Sequence, residues 1–478
     1  TGDQGVSGEG VAMTTGQQPR SPVPRGRSLE DDLGKPRAEW TADDMEDLVR
    51  GRGIQVVSLM HVGGDGWLKT LDFVPRSARH FRDIVQGGER ADGSNLFPRA
   101  GIPPNQSDIV LRPRVRTAFL DPFASLPTLV LMCGHADPEG NPLPASPDTI
   151  LRRACAQLRE ATGVDLWALG EIEYFLGKRR DESDIYGADD RGYHASSPFV
   201  FGEGLRRKAL ALLADIGVPV KYGHSEVGYI EASEAGGVIW EQHEIELALA
   251  PLPEAADGVL LTQWVLRNLA HRKGMRCATG PMMLEGHAGN GLHFHLAPVK
   301  DGKILAVKDS KGQLTDTARW LIGGLVQMGG ALMAFGNRVE DSFVRIRQAK
   351  EAPSSIVWGE FDRMALIRLP LVASDEAGQV ITPATIEFRL PDGSALPHLL
   401  LAGAALAMIT GRDTVELNEL LDRTSVTLAR QGKAGKVESV PRDFREVADA
   451  LERHRHTLEL GDAFPAVLLD RFVEALRS

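Results

Sequence analysis

Four short segments of the chain share one pattern, in which two ionisable residues flank a single apolar residue. They are Glu171-Ile-Glu173, Glu244-Ile-Glu246, His293-Phe-His295 and Glu387-Phe-Arg389. Side chains at positions i and i+2 of a β-strand lie on the same face, so each segment points its charged groups one way and its apolar residue the other. Four such strands side by side predict a sheet with one face lined by carboxylates and imidazoles.

That face favours a divalent cation. Glu171 and Glu173 interrupt an apolar run, between Leu166-Trp-Ala-Leu-Gly and Tyr174-Phe-Leu. Burying carboxylates without a counter-charge costs several kcal/mol each, which a divalent metal offsets. Carboxylate oxygens with a single imidazole favour Mg²⁺ or Mn²⁺ over zinc.

Arginines and a glycine-rich turn add sites for anions. The turn Gly286-His-Ala-Gly289-Asn-Gly leads directly into the segment of His293, and glycines let backbone N–H groups approach an anion or a small zwitterion. Arginine binds carboxylate and phosphate through two parallel hydrogen bonds. Five arginines fall within a short stretch of chain: Arg345, Arg347, Arg363, Arg368 and Arg389. Acidic strands, metals and arginines together are typical of phosphoryl transfer.

Composition excludes several other classes of protein. The formal net charge of −11 and the lack of a basic block with aromatics argue against a nucleic-acid partner. No apolar run approaches the ~18 residues of a membrane span. The three cysteines lie far apart and form no CxxC pair, which argues against a zinc-ribbon fold. Their small number also suggests a reducing compartment. We therefore expect a cytoplasmic protein without a membrane partner.

The chain divides into three predicted regions. Residues 1–39 are rich in Gly, Pro, Ser and Gln and are predicted to be disordered. Residues 40–137 form a small mixed domain that begins with a helix over 42–49. Its two strands, 54–62 and 67–74, are separated by Gly63-Gly64-Asp65-Gly66, a hairpin signal. A catalytic domain follows at 143–478. Helices are predicted at 205–216 and 257–273 by their apolar periodicity, and buried helices at 316–335 and 397–410.

The chain resembles the glutamine synthetase family from about residue 54 to 460. The motifs that carry the resemblance occur in family order: Glu171-Ile-Glu-Tyr-Phe, Gln242-His-Glu-Ile, Ala270-His-Arg-Lys-Gly, Gly289-Asn-Gly-Leu-His-Phe-His, Lys350-Glu-Ala-Pro and Ile386-Glu-Phe-Arg-Leu-Pro-Asp. The resemblance implies an α+β fold, with a small β-grasp N-terminal domain and a larger catalytic domain built on a curved antiparallel sheet with surrounding helices. It also implies homo-oligomeric rings, usually dodecamers, with active sites at subunit interfaces.

The resemblance also implies a set of metal ligands, with two or three Mg²⁺ or Mn²⁺ ions in each site. One ion is expected on Glu173, Glu244 and a third glutamate, and another on Glu171, His293 and Glu387. The third glutamate lies in a stretch where this chain carries an insertion. Glu226, in the segment His224-Ser-Glu226, is the assignment, and Glu231 and Glu234 remain alternatives.

Substrate contacts carry over from the family in the same way. Arg363, Arg368 and His295 are expected to contact ATP. Arg345 is expected to bind the α-carboxylate of glutamate, Arg389 its reacting carboxylate, and Gly289 the region beside them. Glu351 is expected on a flap, where it takes a proton from the attacking amine. The implied reaction is phosphorylation of a γ-carboxylate by ATP, followed by displacement of phosphate by nitrogen.

One departure from the family points to a different nucleophile. Glutamine synthetases carry an aspartate in the first strand pair that binds ammonium, and Gly63 stands at that position here. The hypothesis is a γ-glutamylamide ligase that uses a primary amine other than ammonia, such as an aromatic or small alkyl amine. Two alternatives remain: an ordinary glutamine synthetase in which Asp65 replaces the missing aspartate, and a non-catalytic scaffold.

Overall fold

The computed structural model describes residues 28–182, 184, 192–348, 350–377, 380–432 and 437–478. The first part of the chain contains helices α1 (Leu29–Leu33), α2 (Ala42–Gly51), α3 (Ala78–Gly87) and α4 (Gly93–Leu96), and strands β1 (Val56–Val62), β2 (Leu68–Phe73), β3 (Glu89–Asp92), β4 (Asp108–Pro113), β5 (Phe119–Leu120) and β6 (Thr128–Ala136). Short 3₁₀ turns occur at Arg37–Glu39, Pro104–Gln106 and Val115–Thr117.

The larger part begins after residue 137. Its strands are β7 (Asp165–Arg179), β8 (Val220–Ile230), β9 (Val238–Leu247), β10 (Ala250–Pro251), β11 (Arg276–Ala278), β12 (Leu292–Lys300), β13 (Lys303–Ile304), β14 (Trp358–Glu360), β15 (Ile367–Leu369) and β16 (Ile386–Phe388). Its helices are α5 (Pro147–Thr162), α6 (Glu203–Asp215), α7 (Leu252–Arg272), α8 (Asp316–Gly336), α9 (Glu340–Gln348), α10 (Pro397–Asp413), α11 (Leu417–Arg423), α12 (Val426–Arg430), α13 (Phe444–Arg453), α14 (Arg455–Leu458) and α15 (Ala466–Arg477), with a 3₁₀ turn at Leu460–Asp462.

The first sheet has the strand order β2-β1-β6-β4-β3, with β5 paired to β6. The predicted hairpin of β1 and β2 is confirmed, since the two strands pair antiparallel. Alternate residues of β1 serve two cores: Val57 and Leu59 pack with α2 and α3, whereas Met60 and Val62 join the core of the larger part. The first sheet is therefore held between its own helices and the body that carries the second sheet.

The second sheet has the strand order β14-β15-β16-β12-β7-β9-β8. Its central strands are the four that carry the charged segments, so the predicted side-by-side arrangement is confirmed. The apolar residue of each segment (Ile172, Ile245, Phe294, Phe388) is buried in one core with α5, α7, α8 and α10. Helix α8 is long and apolar enough to cross a membrane, and most of it is buried in this core.

The predicted disorder of residues 1–39 is wrong for residues 28–39; the rest of that segment, residues 1–27, lies outside the described residues. Ser28 caps α1 in a reciprocal capping box with Asp31, and Leu29 is buried. Arg37 donates hydrogen bonds to the carbonyl oxygens of Ala118 and Ile216, each at 3.0 Å. These partners are 81 and 179 residues away, so local composition carried no sign of them. The domain boundaries at 137 and 143 stay a prediction.

Candidate active site

The register of the second sheet places the charged residues on one face. Glu171 of β7 lies opposite His293 of β12 and Glu246 of β9. Glu173 lies opposite Glu244 in the same strand pair. Because directly paired residues of antiparallel strands share a face, these side chains line one surface. Together with His295, which pairs with Glu387 of β16, they form what we call the acidic wall.

Glu171 is the centre of this wall. Its two carboxylate oxygens lie 2.9 Å from His293 Nδ1 and 2.9 Å from His295 Nε2. Burial raises the pKa of Glu171, but the two imidazoles lower it by a larger amount. The resulting pKa of Glu171 lies well below the usual range. His295 Nδ1 is in turn 2.8 Å from Thr385 Oγ1, which fixes the orientation of its ring.

At the neighbouring end of the wall, several buried carboxyl groups are crowded together. Burial and the nearby carboxylates of Glu171 and Glu173 hold the pKa of Glu244 well above its ordinary value. Burial and Glu173 raise the pKa of Glu226, on β8, to about 8. His224 Nε2 lies 3.2 Å from Glu244 Oε1, and His224 Nδ1 lies 3.8 Å from Glu226 Oε1. Crowded, buried carboxylates of this kind favour binding of a cation.

Three groups of ligand atoms on the wall each lie within 4.8 Å of one another and fit a divalent cation by their chemistry: Glu171, His295 and Glu387; His224, Glu226 and Glu244; Glu171, Glu244 and Glu246. The first group contains His295, and the expected ligand His293 lies beside it, with Nδ1 3.7 Å from Glu387 Oε1. Glu173 instead accepts hydrogen bonds from Gly291 N–H (2.8 Å) and Gln242 Nε2 (3.1 Å).

Two residues of these groups, His224 and Glu246, were not predicted as ligands from the sequence. His224 lies two residues before Glu226 on the same strand, and Glu246 belongs to one of the four repeated segments. Their i, i+2 spacing was the signal that could have found them. By contrast, the alternative third glutamates have other partners: Glu231 forms an ion pair with Arg180, and Glu234 Oε2 lies 3.1 Å from His287 Nε2.

Two arginines bind the far end of the wall. The fully buried carboxylate of Glu387 is paired with Arg368 at 2.7 Å and with Arg389. Arg389 also donates from Nη2 to the carbonyl oxygen of Glu351 and from Nε to that of Arg363, each at 3.0 Å. Arg389 thereby joins the wall to the loop that carries Glu351 and Arg363.

Glu351 and Arg363 face solvent at this edge. Arg363 Nη1 lies 3.5 Å from Glu351 Oε2, and both side chains are about half exposed or more. Glu351 has a φ of 55°, in the left-handed region that is uncommon for a residue with a side chain. Its backbone is held there by the hydrogen bond from Arg389. The two residues expected to act on phosphate and amine are thus side by side.

The residues expected to hold glutamate also meet. Arg345 is buried, with Nη1 donating to the carbonyl oxygen of Leu390 at 3.1 Å and Nη2 at 3.4 Å from His293 Nε2. A Cβ on Gly289 would lie 3.1 Å from Arg345 Cγ and 2.5 Å from the carbonyl oxygen of Pro281. The glycine therefore allows the loop to approach Arg345 beside the wall.

Gly63 lies apart from these groups. The atoms nearest to a Cβ built on Gly63 belong to Lys69 and Asp65, both in the same hairpin. Asp65 Oδ2 forms an ion pair with Lys69 Nζ at 2.8 Å, and Asp65 Oδ1 accepts from the backbone N–H of Trp67 at 3.1 Å. The hairpin thus adds no group to the acidic wall of its own chain among the contacts of the described residues.

The fold and the site define a class of protein. Proteins of this class carry a cation-binding site with arginines for anionic substrates, built on one face of an antiparallel sheet. The family model for the glutamine synthetase catalytic domain matches residues 144–478. The chain belongs to the glutamine synthetase family, and the expected resemblance and α+β fold are confirmed. Members of this family are ATP-dependent ligases that use divalent metals and form oligomers, and this chain is a ligase of that type.

Similarity to known proteins extends over most of the chain. The glutamine synthetase of Azospirillum brasilense is 28% identical over 463 residues, covering 90% of this chain and 93% of the relative. That of Thermus thermophilus is 29% identical, covering 87% and 90%. The Plasmodium falciparum glutamine synthetase structure has a TM-score of 0.75 at 18% identity, covering 92% of this chain and 95% of the other. A GmaS/ADP complex has a TM-score of 0.70 at 21% identity, covering 90% and 94%.

Proposed function

We propose that this protein is a γ-glutamylamide ligase, which joins glutamate to a primary amine other than ammonia at the expense of ATP. The γ-carboxylate of glutamate takes the terminal phosphoryl group of ATP, with release of ADP. The amine nitrogen then attacks the acyl carbon, phosphate leaves, and the amine loses one proton. We also propose that the protein acts in the cytoplasm as a ring-shaped homo-oligomer, as the family resemblance implies.

The residues of the site fit this chemistry. Glu171, Glu173, Glu226, Glu244, His293 and Glu387, with His224 and His295 nearby, would hold divalent cations, which supply positive charge next to the phosphates of ATP. Arg363, Arg368 and His295 would bind those phosphates. Arg345 and Gly289 hold the amino-acid end of glutamate, and Arg389 its γ-carboxylate. Glu351 takes the proton of the amine, since its side chain is exposed beside Arg363.

The surroundings of Gly63 support an organic amine. An aspartate there would place its Cβ against Lys69 and 2.8 Å from Asp65 Oδ1. The carboxylate that could replace it, that of Asp65, already forms an ion pair with Lys69. Because Lys69 already pairs with the carboxylate of Asp65, the hairpin offers little to bind ammonium. This single observation carries the proposal.

The ordinary synthetase remains the second candidate because the curated relatives at 28–29% identity are named glutamine synthetases. The experiment that separates the two is phosphate release from ATP with Mg²⁺ and glutamate, across ammonia, alkylamines, ethanolamine, polyamines and anilines. We expect kcat/KM for at least one organic amine to exceed that for ammonia. Turnover with ammonia alone would refute the proposal, and no turnover with any amine would favour a non-catalytic scaffold.

Two hairpin variants sharpen the test. Asp65→Asn should leave the ratio of kcat/KM between ammonia and the best amine unchanged, because Asp65 serves Lys69 rather than substrate. Gly63→Asp should raise this ratio about tenfold, which corresponds to one charged hydrogen bond to ammonium. Loss of ammonia turnover in Asp65→Asn would instead identify Asp65 as the ammonium anchor.

A further inference from the structure

The side chain of Gln242 joins two parts of the site that the proposed function assigns to different ligands. It lies on β9, on the face of the sheet that carries the acidic wall, and only 1% of its surface is exposed. Its amide nitrogen lies 3.1 Å from Glu173 Oε2, 2.9 Å from the carbonyl oxygen of Gly289 and 3.0 Å from Asn290 Oδ1. Glu173 belongs to the acidic wall, whereas Gly289 and Asn290 belong to the glycine-rich turn (residues 286–291).

The other end of the amide fixes its orientation. Gln242 Oε1 accepts a hydrogen bond from the backbone N–H of Gly228, on β8, at 3.1 Å. Because an amide oxygen accepts and an amide nitrogen donates, this bond directs Nε2 toward the turn and Glu173. A Cβ on Gly228 would lie 2.7 Å from Gln242 Oε1, so a side chain at this position would press on the amide. Both ends of the amide are thus bound inside a buried site, where an unpaired polar atom is costly.

A second hydrogen bond closes the glycine-rich turn onto the wall. The backbone N–H of Gly291 donates at 2.8 Å to Glu173 Oε2, the same oxygen that Gln242 contacts. The turn also approaches Arg345 closely. A Cβ on Gly291 would lie 2.9 Å from Arg345 Nη2, and a Cβ on Gly289 would lie 3.1 Å from Arg345 Cγ. A shift of the Glu173 carboxylate would therefore be passed through two hydrogen bonds to the turn beside Arg345.

We propose that Gln242 is a positioning residue that couples the binding of glutamate to the binding of a cation. This inference rests on the proposed function, which assigns glutamate to Arg345 and the turn, and a divalent cation to Glu173 and its neighbours. A cation that fixes the Glu173 carboxylate also fixes the two hydrogen bonds that hold the turn, so glutamate then has less of the turn to order. Such coupling is reciprocal, and glutamate must strengthen the binding of the cation by the same factor.

The test measures Mn²⁺ binding from the electron paramagnetic resonance signal of the free ion, with and without saturating glutamate. For the wild type we expect glutamate to lower the Mn²⁺ concentration at half saturation about tenfold. Gln242→Met has a side chain of similar length without an amide, and it should bring this ratio close to one. Initial-rate kinetics should agree, because Gln242→Met should raise KM for glutamate and leave KM for ATP nearly unchanged.

Two further variants separate the coupling from a loss of structure. Gln242→Glu keeps the size of the side chain and removes the amide donor. It should lose the ratio as well, although the added carboxylate beside Glu173 should keep Mn²⁺ bound. Gln327→Met is the matched control, since Gln327 Nε2, on α8, lies 2.8 Å from Thr414 Oγ1 and 3.2 Å from the carbonyl oxygen of Gly323, outside the wall. This control should keep the full ratio.

Three results would overturn the inference. A ratio of one in the wild type would show that the two ligands bind independently. An equal ratio in the wild type and in Gln242→Met would mean that glutamate and the cation interact without Gln242. Absence of Mn²⁺ binding to the wild type would remove the cation site itself. The measurement contains no amine, so its failure is distinguishable from failure of the proposed amine chemistry, and thermal melting of each variant shows whether a lost ratio reflects unfolding.

Discussion

Replacing Glu226 by glutamine should stabilise the cation-free protein, although Glu226 is proposed as a cation ligand. Burial and the carboxylate of Glu173 raise its pKa from 4.5 to about 8. A carboxyl whose pKa is raised by folding binds more protons in the folded state than in the unfolded state between these two values. Stability is therefore lost as pH rises through this window. The glutamine variant carries no ionisable group here and avoids the loss.

The size of the effect follows from the pKa. At pH 7 the carboxyl of the unfolded state is ionised, because the pH lies 2.5 units above its pKa of 4.5. The carboxyl of the folded state, with a pKa of about 8, is still mostly protonated. At 1.36 kcal/mol per unit, the cost to the native protein is about 3 kcal/mol. With ~2.1 cal/mol/K of unfolding entropy per residue over 478 residues, Glu226→Gln should raise Tm by about 3 °C. At pH 5 the gain falls below about 1 kcal/mol.

The assay is thermal melting after dialysis against EDTA, with and without added Mn²⁺. Mn²⁺ should raise Tm of the wild type more than that of Glu226→Gln, because the variant lacks a ligand. The matched controls are Glu231→Gln and Glu234→Gln, which replace the two alternative third ligands. Glu231 is paired with Arg180, and its pKa is lowered rather than raised. Neither control should gain stability at pH 7 or lose the response to Mn²⁺. An unchanged Tm in Glu226→Gln, or a control that abolishes the Mn²⁺ response, would refute the reasoning.

Two arginines give further predictions. Arg345→Lys should raise KM for glutamate about 30- to 100-fold with little change in Mn²⁺ affinity, because lysine cannot form two parallel hydrogen bonds to a carboxylate; initial-rate kinetics check this, and an equal loss for ATP would contradict it. Arg37→Ala should destabilise the protein by about 2 to 4 kcal/mol, because two carbonyl groups lose a charged donor. Arg52→Ala, which breaks an exposed ion pair with Asp32 in the same region, should cost less than about 1 kcal/mol in the same melting experiment.

The acidic wall was predictable because its pattern is local. A period of two places both charges of each segment on one face, and four repeats made a common sheet the simplest arrangement. The order β16-β12-β7-β9 was not predictable in the same way, since it does not follow the order along the chain. Pairing partners such as Glu171 and His293 are 122 residues apart, and only tertiary structure brings them together.

The errors have physical causes of the same kind. Helix α7 begins at Leu252 rather than near Asp257, because Pro253 occupies its first turn, where the missing N–H costs no hydrogen bond. The role of His224 was not predictable from its own segment, since its closest acidic partner, Glu244, belongs to the adjacent strand. Order at Arg37 depends on carbonyl groups far along the chain. Local patterns thus predicted the elements, and long-range contacts determined the details.

The charges of the wall are not balanced evenly, and this distinguishes its three candidate cation groups. Glu387 is neutralised by Arg368 and Arg389, and Glu246 by an ion pair with Lys221. Glu171 has two imidazoles. Among the described residues, the group of Glu226 and Glu244 has no ion pair with lysine or arginine, and its neighbour His224 has a pKa lowered by burial, so these carboxyl groups are the least compensated. A cation relieves the most repulsion there. For this reason Glu226→Gln tests the cation site more sharply than substitution of Glu387, where the loss of a carboxylate would also remove the ion-pair partner of Arg368 and of the buried Arg389.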